Sequence, residues 1–214
     1  LQMARNGKKW LYSEGKHYAY QTKTIDLDEE NAWDGVKTTY VDFAGDAMQR
    51  DFKKSPISTA ERYVDSSARN DITSVKVTHD AESLYFRIEA DQTITSPEEG
   101  DSKWMNLFLN SFTEGSEKFG KNFDYRLNAS RDQNKVSVEK YSSGSWTKMG
   151  EASYRLKGNV LQISLPLSLI GKSEEECHIS FKVTDNVTAS EDIMDYYVTG
   201  DSAPIGRLSY EYGY

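Results

Sequence analysis

Cysteine is almost absent: Cys177 is the one thiol in 214 residues, so no internal disulfide can form. A small, disulfide-stapled secreted scaffold is therefore excluded. A chain this long can bury a core without such staples. Histidine is nearly as scarce. His17, His79 and His178 are scattered, and no His-x-x-x-His or Cys-x-x-Cys spacing occurs, which argues against zinc. Haem lacks a paired His/Met motif, although Met105 and Met194 are present as isolated thioethers. Basic charge is also in deficit, with 26 Lys and Arg against 34 Asp and Glu and a net charge of −8. Nothing in this balance tracks a phosphate backbone or an anionic membrane surface, so nucleic acid is not an expected partner. No apolar run approaches the roughly 18 residues of a membrane span. There is no Gly-x-Ser-x-Gly elbow, P-loop or dinucleotide fingerprint. The opening Leu-Gln-Met carries no signal-peptide pattern and reads as a processed chain or a piece of a longer one.

What is present is β-pattern. The stretch 72–79 carries Ile72, Val75 and Val77, turns at 80–83, and continues with Leu84, Phe86 and Ile88 alternating with Tyr85, Arg87 and Glu89. Such alternation predicts a half-buried hairpin. The stretch 104–110 alternates again, with Met105, Leu107 and Leu109 on one face and Trp104, Asn106, Phe108 and Asn110 on the other. Further strands are predicted at 23–28, within 33–43, and at 122–129, 134–141, 151–157, 160–165, 177–184, 193–198 and 207–212. Gly158-Asn159 is a two-residue hairpin turn between two of them. A helical turn is expected near 168–171. Residues 44–70 break every pattern and form a long excursion, of the kind usually functional or held by something specific. The expected fold is all-β, an antiparallel β-sandwich spanning 24–214, with 1–23 as a linker or leading segment. Its expected core contains Leu84, Phe86, Ile88, Met105, Leu107, Leu109, Leu161, Ile163, Leu165 and Phe181.

Candidate chemistry is sparse. Trp104 is singled out because a sugar's apolar C–H face stacks on an indole, and alternation puts Asn106 on the same strand face as a polar partner. The opposing reading is that Trp104 packs in the core. The acidic stretch Asp185, Asn186, Glu191, Asp192 and Asp195 has the oxygen ligands calcium prefers, but not EF-hand spacing; a solvated acidic loop is the alternative. Arg69, Asn70 and Asp71 suggest a buried polar tie, with Arg69 bidentate to a carboxylate. Abundant Asp and Glu do not by themselves make a glycosidase pair.

Several motifs, in order, carry a resemblance. Asp80-Ala-Glu-Ser-Leu-Tyr-Phe86, Trp104-Met-Asn-Leu-Phe-Leu-Asn110, Phe123-Asp-Tyr-Arg-Leu-Asn128 and Gly158-Asn-Val-Leu-Gln-Ile-Ser-Leu-Pro166 with Ile170-Gly171 resemble the strands of family-nine carbohydrate-binding modules and the related DOMON-like sandwiches. Asp195–Tyr210 and Arg69-Asn-Asp-Ile72 resemble a subgroup appended to bacterial glycoside-hydrolase-like proteins. The chain departs from the pattern at 110–120, where the family's paired aspartates and tryptophan are missing. The resemblance implies a secreted, non-catalytic domain at an extracellular, periplasmic or cell-surface location. It implies the end of a mono- or oligosaccharide as ligand and an upstream catalytic domain as partner. It also implies a sugar site at Trp104 and Asn106, with Tyr197 and Asp201 approaching from the C-terminal segment, no required cofactor, and structural calcium at Asp185, Asp192 and Asp195. Two other readings stay open: a structural accessory domain whose ligand site has eroded, with Trp104 buried, and a glycoside hydrolase in its own right.

Overall fold

The computed structural model describes residues 16–17, 22–53 and 62–213, so most of the expected leading segment 1–23 lies outside the described residues. The chain is almost wholly β. The strands are β1 (Lys16–His17), β2 (Thr39–Val41), β3 (Arg50–Lys53), β4 (Arg62–Asp65), β5 (Ile72–His79), β6 (Ser83–Ala90), β7 (Asn106–Asn110), β8 (Tyr125–Asp132), β9 (Lys135–Ser142), β10 (Ser145–Lys157), β11 (Val160–Pro166), β12 (Ile179–Asp185), β13 (Asp201–Ala203) and β14 (Tyr210–Tyr212). Twelve of them form one sheet in the order β1-β14-β12-β7-β8-β9-β10-β11-β6-β5-β2, with β13 also on β12; β3 and β4 form a separate hairpin. Every pairing is antiparallel except β1 with β14.

The sheet curls on itself into a sandwich-like body. Phe86 on β6 and Phe181 on β12 are far apart in strand order, yet their ring centroids lie 5.4 Å apart. Tyr40 on β2 meets Phe181 edge-on at 5.0 Å. The seam between the two ends of the sheet is joined by side chains. Tyr40 Oη donates to Glu211 O at 2.7 Å, and Tyr210 Oη donates to Val41 O at 3.0 Å.

Alternation explains the core. Leu84, Phe86 and Ile88 of β6 pair in register with Leu165, Ile163 and Leu161 of β11, and all face inward. The ten expected core residues are all buried in one cluster. Gly158-Asn159 does connect β10 to β11, with Gly158 at φ 60°, a left-handed conformation that costs glycine little. The turn expected at 168–171 is a 3-10 turn over Leu167–Ile170.

Five local features differ from the sequence pattern. Residues 23–28 are irregular, and only Thr39–Val41 of 33–43 is strand. The 193–198 stretch forms a 3-10 turn at Asp195–Tyr197 because Asp195 closes a loop through side-chain bonds rather than pairing in a ladder. The short β13 has no legible alternation. The excursion 44–70 contains the β3–β4 hairpin, pinned to the body where Arg50 and Tyr63 both donate to Val198 O.

The Phe86–Phe181 contact closes the curled sheet, so Phe181→Ala should cost about 3–5 kcal/mol, the usual range for a buried Phe. Denaturant titration should show a lower midpoint with an unchanged slope; a loss under about 1 kcal/mol would mean the two halves do not share this core.

Candidate functional site

The structure places Trp104 in the core. It is 0% exposed, and its Nε1 donates to Thr95 O at 2.6 Å. The reason is a kink the alternation does not show. Met105 has φ 43°, so the pattern of β7 stops at Asn106 and both Trp104 and Met105 turn inward. Asn128 holds the kink, donating from Nδ2 to Trp104 O at 2.9 Å and Met105 O at 3.0 Å. Asn128 itself sits at φ 70°, which Asn tolerates better than most residues. Asn106 is also buried and donates to Asn128 O at 3.1 Å. Asp201 is 5% exposed and accepts from Ile72 N at 2.7 Å. Of the four residues expected at a sugar site, only Tyr197 reaches solvent, at 41% exposure. Its ring rests on Gly206, where a Cβ would lie 2.0 Å from Tyr197 Cζ. The four side chains therefore do not form one open platform.

The expected calcium ligands are likewise separated by role. Asp185 is fully buried and accepts five hydrogen bonds: Arg69 Nε at 3.0 Å and Nη2 at 2.7 Å, Asn70 N at 3.2 Å and Nδ2 at 3.0 Å, and Met105 N at 3.0 Å. The bidentate Arg69 tie expected from the sequence is thus made, and Asp185 is the carboxylate that receives it. Arg69 also reaches Asp101 at 2.6 Å. Asp192 accepts from Met194 N at 2.9 Å, and Asp195 from Ala189 N and Thr199 Oγ1, both at 2.7 Å. These three aspartates organise loops and do not converge on one point.

A different acidic group converges. Carboxylate oxygens of Asp46, Asp71 and Asp201 all lie within 4.8 Å of one another, the one such set among the described residues. Asp42, at 7% exposure, belongs to the same pocket. Beneath them Lys182 is buried, with its Nζ donating to Pro204 O and sitting 5.0 Å from the Tyr196 ring centre. Burial, then Asp201 and Asp46, push the Asp42 carboxyl up to about 8. Burial likewise raises Asp201 to about 7 and, with Asp71 beside it, Asp46 to about 6. Burial holds Lys182 down to about 7 against the pull of Asp42 and Asp201. No local spacing marks this group, because its members come from β13, from the residue before β5 and from the excursion.

A groove lies on the outer face of the sheet. Residues 25–36 cross β6 and pack Ile25, Ala32 and Trp33 on Tyr85, the outward neighbour of Phe86. Trp33 Nε1 donates to Gln162 Oε1 at 2.5 Å. The resulting concavity, about 570 Å³, has an apolar part from Leu27, Trp33, Leu156 and Val160. Its polar part is Lys76, Arg87, Arg155, Lys157 and Gln162 facing Asp28, Glu29, Glu30 and Asp34. Arg155 donates from Nε and Nη2 to the two carboxylate oxygens of Asp28, at 2.5 and 2.8 Å, and these hydrogen bonds hold Asp28 below the usual carboxylate range.

The 110–120 segment is occupied structurally. Asp124 is buried and accepts from Ser111 N at 2.9 Å and Lys118 Nζ at 2.7 Å. Phe119 stacks on Phe108 at 6.0 Å and meets Trp146 at 5.1 Å, so the segment caps the outer face of β7–β10.

Arg69→Met would leave Asp185 buried without its cation. The expected loss is about 3–5 kcal/mol, the usual penalty for breaking a buried pair from one side. Chemical denaturation would read it; a change under about 1 kcal/mol would show that the backbone donors alone satisfy Asp185.

No protein-family model matches this chain, and no curated protein matches it, so the resemblance to family-nine modules is carried by the sequence motifs alone.

Proposed function

We propose that this chain is a non-catalytic carbohydrate-binding or accessory domain of a secreted glycoside-hydrolase-like protein, and that its ligand face is the outer groove beside Trp33. The observation that carries this reading is the groove's balanced lining: four cations and four carboxylates around an apolar floor. Fixed donors and acceptors of both kinds suit the hydroxyls of a neutral sugar, and the apolar floor suits its C–H face. A phosphate-rich ligand would meet the carboxylates and be repelled. Asp28, hydrogen-bonded by Arg155, is held ionised and is a poor general acid, which supports a binding role over a hydrolytic one. Burial of Trp104 favours a second reading, an accessory domain without a ligand that buttresses a catalytic partner.

Calorimetry with neutral mono- and oligosaccharides distinguishes the two. Under the first reading binding is modest, because the lining residues already pair with one another, and Arg87→Ala weakens it by about tenfold or more, equivalent to ~1.4 kcal/mol. Equal affinity in Arg87→Ala and Arg155→Ala would contradict the groove as ligand face. Absence of heat with every sugar would favour the ligand-free accessory reading. Release of reducing sugar by the purified chain, abolished by one Asp or Glu substitution, would contradict both.

A further inference from the structure

We propose that Asp46, Asp71 and Asp201, with Asp42 behind them, form a calcium site that staples the two ends of the 44–70 excursion to the end of the sheet. The spacing fits one ion. Oxygens on opposite sides of a calcium at about 2.4 Å are about 4.8 Å apart, and the three carboxylates meet that limit pairwise.

Unpartnered oxygens point independently to a missing partner. Five buried side-chain polar atoms lack a hydrogen bond among the described residues, and three of them are here: Asp42 Oδ2, Asp46 Oδ1 and Asp71 Oδ1. Asp42 is more than nine-tenths buried and lies beside Asp46 and Asp201. Such groups are rare in folded proteins and call for an explanation such as an ion. The remaining oxygens are already oriented. Asp71 Oδ2 accepts from Gly45 N at 2.6 Å, while Asp201 accepts from Ile72 N and Ser202 N, both at 2.7 Å. Lys182 is committed to Pro204 O, and Arg50, whose charge reaches Asp46, is paired with Asp65, so two cations already engaged elsewhere face four carboxylates.

All-oxygen ligation and irregular geometry select calcium over magnesium, which demands near-ideal octahedral coordination and retains its waters. The chain segments brought together are the residue after β2 (Asp42), the following loop (Asp46), the residue before β5 (Asp71) and β13 (Asp201). The ion would close a loop that contains the β3–β4 hairpin, and the groove beside Trp33 takes no part in it.

The test uses the whole chain after dialysis against a chelator. Calcium chloride at about a hundredfold excess over Kd should raise the melting temperature by about 5–10 °C, and magnesium chloride by less. Asp46→Asn should weaken calcium at least tenfold while the variant, in chelator, melts no lower than the parent, since a like charge has been removed. Terbium gives a readout independent of any variant: excitation of tyrosine should sensitise its emission, because Tyr210 lies beside the carboxylates, and calcium should quench that emission by displacement. No calcium-dependent shift in the parent at about 5 mM, above the range typical of extracellular modules, would overturn the site. So would an equal shift in the Asp46→Asn, Asp71→Asn double variant, or terbium emission that calcium leaves unchanged.

Discussion

Asp185 is the point on which this fold turns. A carboxylate at zero exposure is tolerated only when its charge and lone pairs are met, and here one guanidinium and three further donors do so. Those donors come from distant parts of the chain. Arg69 and Asn70 end the long excursion, and Met105 sits at the kink before β7. Through Arg69 the same centre reaches Asp101. Gly200 closes over it from the other side: a Cβ there would lie 2.2 Å from Asp185 O, at a φ of 57° that only glycine accepts readily. The C-terminal end of β12 thereby gathers the excursion, the loop before β7 and the segment leading to β13.

The placement of the sites follows from that gathering. Once Asn70 is fixed to Asp185, Asp71 and Ile72 are delivered beside β13, and Asp201 takes the Ile72 amide. The acidic pocket is the consequence: carboxylates from the excursion and from β13 held together before any ligand is considered. The groove beside Trp33 depends on a different feature, the outward faces of β5, β6, β10 and β11, covered by residues 25–36. One region is acidic and half-buried, the other balanced in charge and open.

Much of the fold was legible because it is written in local pattern. Alternation on β6 and β11 and the Gly158-Asn159 turn each rest on neighbouring residues, and Phe181 follows from the same period. Arg69-Asn-Asp was legible as a polar tie, though not its partner. The burial of Trp104 was not legible because one residue's conformation decides it: Met105 at φ 43° ends the alternation that paired Trp104 with Asn106. The acidic pocket was illegible because Asp46, Asp71 and Asp201 share no spacing, and only the Asp185 centre brings them together. The stretch 193–198 read as strand because Tyr196, Tyr197 and Val198 have strand-forming side chains, while Asp195 bonding inside its own loop decides the conformation.

The central claim is that the end of the excursion belongs to the same cooperative unit as the core because Asp185 and Asp201 bind its backbone. Native-state hydrogen exchange tests this at three amides, Asn70, Ile72 and Met105, each of which donates to one of those buried carboxylates. The account predicts that all three exchange only through global unfolding, in the same slowest class as the paired amides of β6 and β11. Exchange of Asn70 and Ile72 orders of magnitude faster than that ladder would contradict it, showing an excursion that opens independently of the sheet.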